Sequence, residues 1–225
     1  MAAMRFDVRP LVTVLTGLVG LVGLGLISGC ITGERPTLAE APLETGDAAV
    51  DAVLTRLESG AAATFTASYD VLTRFGDLRS SATVAQEGAT RRSITIAAGG
   101  TFRFVVDGEA TATCDLTAGT CTDTLDPQRV SDTQLAPDFY AAGAAARLRR
   151  DAGQRTGPTA AAAETIAGQP ATCVTIPVGG AGGQLTSTYC ALDAGPLARL
   201  DAADVAIDLT TWSPTPDPAA FARPG

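Results

Sequence analysis

Apolar residues follow three different patterns along the 225-residue chain. Residues 11–27 form an uncharged apolar stretch, whereas residues 31–46 are polar, contain two prolines and show no apolar period. From about residue 45 onward, the apolar positions recur first with the period of a helix and then with that of a strand. The pattern therefore predicts an apolar leader, a flexible connector and a folded domain.

The first periodic segment, residues 45–59, predicts an amphipathic helix. Its apolar residues recur at helical spacing and are Ala49, Val50, Val53, Leu54 and Leu57. Thr45 or Gly46 is suited to cap the start of this helix, and Gly60 is suited to end it. We therefore expect one helix to open the folded domain.

After this helix the apolar period changes to two, which is typical of half-buried strands. The alternating apolar residues are Phe65, Ala67, Tyr69 and Val71, then Ile94 and Ile96, then Phe102, Phe104 and Val106. Asp107-Gly108 is a strong hairpin signal, with residues 109–114 predicted to return alongside. Further strands are expected near 164–169, 170–178, 184–192, 196–202 and 204–212.

The remaining segments predict a second helix and three irregular stretches. Pro137 is suited to the first position of a helix, and residues 138–150 are rich in alanine and end in arginines. Residues 121–134, 152–163 and 213–225 show no usable period, so we expect loops there.

These elements predict an α+β fold, in which a strongly curved antiparallel β-sheet, a half-barrel, wraps around one or two helices. Many short antiparallel strands must cover an apolar face, and few helices are available to cover it. A sheet that curls around one or two helices can cover its apolar face with those helices alone. One domain of ordinary size, residues 47–225, is therefore expected after the leader.

The first thirty residues resemble a lipoprotein signal peptide. Arg5 and Arg9 precede the apolar stretch, which closes with Ile27-Ser28-Gly29-Cys30, an aliphatic residue and two small residues before a cysteine. This order predicts removal of residues 1–29, lipidation of Cys30, and a tether over residues 30–46. Two or three acyl chains, such as palmitate, anchor a protein stably where one does not. The alternative is an uncleaved spanning helix, for which 17 apolar residues are short.

Four further cysteines lie in the folded part, and export to an oxidising compartment favours disulfides. Partners on one antiparallel hairpin have position numbers with a constant sum, so turns near Thr117-Ala118 and Ala181-Gly182 pair Cys114 with Cys121 and Cys173 with Cys190. A four-thiolate zinc site is the alternative, but its usual ligand spacings are two to four residues. We therefore predict two hairpin disulfides.

Composition narrows the possible chemistry. The net charge is −8 and basic runs are absent from the sequence, so nucleic-acid binding is not expected. The chain contains no histidine and no lysine, which excludes Ser-His-Asp and Cys-His nucleophiles and lysine bases. The candidates that remain are carboxylates that fall beside turns or on solvated strand faces, namely Asp107, Glu109, Asp115, Asp123, Asp201, Asp204 and Asp208. We expect a non-enzymatic protein without a metal or cofactor.

The order of elements resembles the LolA/LppX-like superfamily of bacterial lipoproteins, in a branch of exported actinobacterial lipoproteins. The resemblance covers residues from about 47 onward: an opening helix, a strand beginning F-x-A-x-Y at Phe65, an arginine-bearing strand, and a strand ending in Asp107-Gly108. It implies a half-barrel with an apolar interior that accepts lipid or acyl chains in some relatives. In other relatives the fold serves as a sensory or interaction module.

Two functions follow from this resemblance. In the first, the protein is lipid-anchored at the extracytoplasmic face of the cell membrane and binds a lipid or other apolar ligand inside the curved sheet. The side chains predicted to line that cavity are Phe65, Tyr69, Val71, Phe102, Phe104 and Val106. In the second, the same side chains fill a packed core, and the protein is a surface interaction or sensory module with an envelope protein as partner.

Overall fold

A computed structural model describes residues 44–180 and 183–224 of the chain. The elements, in chain order, are α1 (Ala48–Gly60), β1 (Thr64–Thr73), β2 (Leu78–Glu87), β3 (Arg91–Ala97), β4 (Thr101–Asp107), β5 (Ala110–Asp115), β6 (Thr120–Thr122), α2 (Pro127–Thr133), α3 (Ala142–Gly153), β7 (Ala160–Ile166), β8 (Gln169–Gly180), β9 (Gly183–Leu192), β10 (Leu197–Asp201) and β11 (Val205–Ser213). A short 3-10 helix, Pro218–Phe221, follows.

All eleven strands form one antiparallel sheet in the order β6-β5-β4-β3-β2-β1-β11-β10-β9-β8-β7. The described strands do not close into a barrel, since β6 and β7 remain as its two edges. The helices cover the inner face of the curved sheet. The α+β architecture predicted from the sequence is confirmed, with three α-helices in place of the one or two expected.

The opening helix forms because its start is capped and its apolar residues lie on one side. The carboxylate of Asp47 accepts hydrogen bonds from the backbone N–H groups of Ala49 and Val50 at 3.1 and 3.3 Å. Asp47 is therefore the cap, and the expectation of Thr45 or Gly46 was wrong. The side chains buried against the sheet are Val50, Val53, Leu54 and Leu57.

Antiparallel register places the β1–β2 and β10–β11 connections, the end of β8 and the start of β9 along one rim of the sheet, which we call the upper rim. Neighbouring strands are paired there through Thr73 with Val205, Asp201 with Thr188, and Thr175 with Ala160. Helix α1 starts at this rim, because the Thr159 hydroxyl donates to the Asp47 carboxylate at 2.9 Å. The opposite, lower rim carries the β2–β3, β7–β8 and β9–β10 turns and the end of α1.

The lower rim is closed by direct backbone contact and one buried amide. A Cβ atom on Gly60 would lie only 2.6 Å from the carbonyl oxygen of Gly195, so the end of α1 touches the β9–β10 turn. Buried Gln86 donates to the carbonyls of Gly60 and Ala63 at 2.8 and 2.9 Å and accepts a hydrogen bond from the Tyr140 hydroxyl. Burial raises the pKa of Tyr140 to about 12.

The segment after β11 crosses the outer face of the sheet. Phe221 and Ala220 form a small apolar cluster with Ala85 of β2. The guanidinium of Arg103 donates to the carbonyl of Ala222 at 2.6 Å, and the hydroxyl of Ser93 donates to that of Ala220, also at 2.6 Å. This strap explains why several outward-facing side chains of β2–β4 are buried.

Four local expectations from the sequence were wrong. The segment 121–134 is not irregular, since it contains the end of β6 and all of α2. Strand β7 starts at Ala160, inside the expected loop 152–163. Helix α3 starts at Ala142 and not directly after Pro137. Asp107 pairs with Ala110, so the hairpin loop is Gly108-Glu109, with Gly108 at a φ of 60°.

Both predicted disulfides are confirmed. Cys114 is bonded to Cys121 and Cys173 to Cys190, and each pair lies directly opposite across its hairpin. The first turn falls where it was expected, around Thr117-Ala118. The second was placed at residues 181–182, which lie outside the described residues, although Gly180 pairs with Gly183 on either side of them.

Candidate functional site

An open cleft of about 380 Å³ lies on the inner face at the upper rim. Four separate segments form it: the end of β1 and its turn, residues 134–139, one side of α3, and the β10–β11 turn region. Its apolar walls consist of Leu135, Phe139, Ala144, Leu200, Val205 and Ile207. Pockets that bind small molecules measure about 300–1,000 Å³ and are mostly apolar, so this cleft has the size and lining of a ligand site.

The floor of the cleft is fixed by aromatic packing. The ring of Phe139 meets the ring of Tyr69 edge to face, with centroids 5.1 Å apart, and meets Tyr140 in the same way at 5.6 Å. Tyr69 is buried, its hydroxyl has no hydrogen-bond partner among the described residues, and burial raises its pKa. The apolar wall therefore rests on a rigid aromatic base.

The mouth of the cleft carries charge. The guanidinium of Arg147 on α3 donates to both carboxylate oxygens of Asp204 in the β10–β11 turn, one of them at 2.9 Å. These hydrogen bonds lower the pKa of Asp204 and raise that of Arg147. Arg150 also lines the cleft, is exposed, and has no ion-pair partner among the residues that the structure describes. The mouth therefore offers one unpaired cation beside a neutral ion pair.

Phe75 extends the apolar surface out of the cleft. It lies in the turn between β1 and β2, lines the cleft and is 88% exposed. Backbone bonding joins this turn to the neighbouring β10–β11 turn, since the N–H of Arg74 donates to the carbonyl of Asp204 at 2.9 Å. An aromatic ring so exposed in a turn contributes little to the core, so it is available for a ligand or a surface.

The six side chains predicted to line a cavity lie elsewhere. Five of them, Phe65, Tyr69, Val71, Phe102 and Phe104, are buried in the main apolar core, and Val106 is half-buried. None of the six lines the cleft at the upper rim. Tyr69 comes nearest, since it supports Phe139 from below. Contact between these side chains and a ligand stays a prediction.

Six of the seven carboxylates considered as catalytic candidates are engaged with other groups. Asp201 pairs with Arg74, Asp204 with Arg147, Asp208 with Arg199, Asp107 with Arg91, and Asp123 with Arg223. The carboxylate of Asp115 accepts hydrogen bonds from two N–H groups of its own turn at 2.9 Å. These geometries are those of surface ion pairs and a turn cap.

Cys30, the predicted lipidation site, lies outside the described residues, as do residues 1–29. Within the described part of the chain, no helix combines the length and the apolar character needed to cross a bilayer. Glu44, the first described residue, precedes α1, and the N–H of Thr45 donates to the Asp51 carboxylate at 2.6 Å. The chain thus reaches α1 in an ordered way at the upper rim.

Comparisons with known proteins link the chain to others through its fold alone. No family model matches the sequence, and no curated protein matches it. Solved structures that are similar include a crystal structure of MucB, with a TM-score of 0.47 and 13% identity over 79% of this chain and 63% of that one. The Pseudomonas aeruginosa MucA/MucB complex matches with a TM-score of 0.47 and 13% identity, over 77% of this chain and 60% of that one. MucB in complex with MucA(peri) matches with a TM-score of 0.41 and 12% identity, over 77% of this chain and 58% of that one.

In each of these comparisons the chain spans less than two thirds of the matched MucB chain. Membership of the LolA/LppX-like superfamily stays a prediction.

Proposed function

We propose that this chain is a lipid-anchored protein at the extracytoplasmic face of a cell membrane and that it binds an amphipathic ligand without converting it. The observation that carries the proposal is the cleft at the upper rim, with apolar walls and an arginine at its mouth. An acyl chain fits such walls, and an anionic group at its end fits Arg150. The six core side chains then support the site and do not line it.

The anchor is tested by metabolic labelling of cells with an alkyne-bearing fatty acid. We expect label on the full chain and none on the Cys30→Ser variant, because acyl transfer requires the thiol. Cys114→Ser is a control that keeps Cys30 and removes a different cysteine. Equal labelling of the Cys30→Ser variant and the unmodified protein would contradict lipidation at this residue.

The cleft is tested with a dansyl-labelled fatty acid, whose emission rises and shifts to the blue in an apolar site. We expect saturable binding that falls at least about tenfold in Ala146→Phe, since that ring would occupy the cleft and a lost apolar contact of about 1.4 kcal/mol corresponds to tenfold. Ala142→Phe is the matched control, because Ala142 is also exposed on α3 but does not line the cleft. Unchanged binding in Ala146→Phe would place the site elsewhere.

A second candidate, an interaction module with an envelope protein partner, is favoured by the edge strand β7. Residues 160–165 of β7 are exposed on both faces, and four of them are alanines. An edge of this kind offers backbone hydrogen-bonding groups to an added strand. Crosslinking from β7 in intact cells that traps one dominant protein, together with absence of fatty-acid binding, would favour this candidate over the first.

A further inference from the structure

Exposed apolar side chains are concentrated on the upper rim. Of the residues that the structure describes, the large apolar side chains that are exposed are Phe75 at 88%, Leu78 at 51% and Leu185 at 42%. Phe75 lies in the β1–β2 connection, Leu78 is the first residue of β2, and Leu185 lies near the start of β9. All three therefore lie on the upper rim, and the lower rim carries none of them.

The first described segment of the chain begins at the same rim. Helix α1 starts there, held by the hydrogen bond between Thr159 and Asp47 at 2.9 Å, and Glu44 precedes it. Residues up to 43 are joined to the domain at this point, and they include the apolar stretch 11–27 and Cys30. An anchor in those residues would be joined covalently to the domain at its upper rim.

We propose that the upper rim rests on the lipid bilayer, with Phe75, Leu78 and Leu185 inserted into its interface. The inference deepens the proposed function and rests on it for the membrane anchor. Because the cleft opens on this rim beside Phe75, an acyl chain would pass between bilayer and cleft along an apolar path. The ligand class is then a membrane lipid or fatty acid taken directly from the bilayer surface.

The arrangement of the three side chains fits a broad surface better than a small partner. Strands β11 and β10 separate the β1–β2 connection from β9 in the sheet, so the contact spans several strands. Of the charged side chains on this rim, Arg74 pairs with Asp201 and Arg147 with Asp204, whereas exposed Asp77, Arg79 and Arg150 have no ion-pair partner among the described residues. The two ion pairs reduce the number of free charges that approach the lipid, and apolar side chains such as Phe and Leu insert about 5–10 Å into the interface.

The test uses the full chain reconstituted in phosphatidylcholine and phosphatidylglycerol vesicles whose acyl chains carry bromine, a contact quencher of tryptophan. In a Trp212→Phe background, Phe75→Trp places the only tryptophan on the upper rim. Ala89→Trp is the matched control, because Ala89 is exposed in the β2–β3 turn of the lower rim. We expect the first variant to lose about half or more of its emission at the insertion depth of such residues, and the second to lose little.

Equal quenching of both variants, or none in either, overturns the inference. So does quenching of Phe75→Trp that requires another protein in the vesicle, since the rim would then bind that protein. Failure of the proposed bilayer contact can be distinguished from failure of the proposed function. Strong quenching without fatty-acid binding contradicts only the cleft, whereas fatty-acid binding sensitive to Ala146→Phe without rim quenching contradicts only the bilayer contact.

Discussion

The two ends of the helix layer are built in opposite ways. At the lower rim, α1 meets the sheet backbone to backbone through Gly60 and Gly195, and Gln86 fills the remaining space with three hydrogen bonds. At the upper rim, the open cleft lies between α3 and the sheet, and Arg147 and Asp204 bridge it at its mouth. The lower rim is therefore closed by glycines and a buried amide, whereas the upper rim stays open between larger side chains.

This difference shows where a half-barrel of this composition can hold a ligand. Alanine and glycine bring backbones close together, so a core rich in them is filled by main chain as much as by side chains. Five of the six side chains predicted to line a cavity are buried in this core. The cleft lies at the upper rim, where α3 passes beside turns, and exposed Phe75 belongs to its lining.

Adding one methyl group at Gly60 disrupts the closed lower rim most directly. Gly60→Ala places a Cβ atom 2.6 Å from the carbonyl oxygen of Gly195, which forces the α1 end and the β9–β10 turn apart. We expect a loss of about 1–3 kcal/mol in the free energy of unfolding, the usual cost of overpacking. Urea unfolding with intact disulfides measures it.

The matched control for Gly60→Ala is Gly153→Ala at the end of α3. A Cβ atom on Gly153 meets no atom within 4 Å, and its φ is not positive. Alanine is the better helix former by up to about 1 kcal/mol, so this variant should be as stable as the unmodified protein or more stable. If Gly60→Ala behaved in the same way, the lower rim would be looser than the structure indicates.

Local patterns in the sequence predicted the parts of the fold that depend on neighbouring residues. Both disulfides followed from hairpin symmetry, and α1 and most strands followed from apolar period. Strand β2 was missed, because its inward-facing residues are Ser80, Ala82, Val84 and Gln86, which give no strong alternation. Buried Gln86 is polar in sequence and is explained only by its tertiary partners at the end of α1 and at Tyr140.

The candidate site was beyond local prediction for the same reason. Its walls come from segments as distant as Phe75, Phe139 and Ile207, and no spacing rule relates them. Two signals were present in the sequence. Phe75 stands in the turn TRFGDL, where polar residues are usual, and arginines cluster at the end of the α3 segment. Neither signal says that the two features face each other across a cleft.

We expect the smallest change in the free energy of unfolding at the upper rim, where Arg147 and Asp204 form an ion pair across the mouth of the cleft. Arg147→Gln removes the hydrogen bonds that lower the pKa of Asp204, so this pKa should rise toward its ordinary value of 3.8. A carboxyl group whose pKa is depressed in the folded state stabilises the fold at pH values above its ordinary pKa. This stabilisation is lost as the pH falls through the depressed pKa. Because the pair is largely exposed, we expect Arg147→Gln to lower the free energy of unfolding by about 0–1 kcal/mol at neutral pH and to leave it unchanged in stronger acid. Carboxyl titration by NMR and urea unfolding at both pH values measure this, with Arg79→Gln as the control of equal charge change on the same rim. An Asp204 pKa that did not move in Arg147→Gln would show that the mouth is not held by this ion pair.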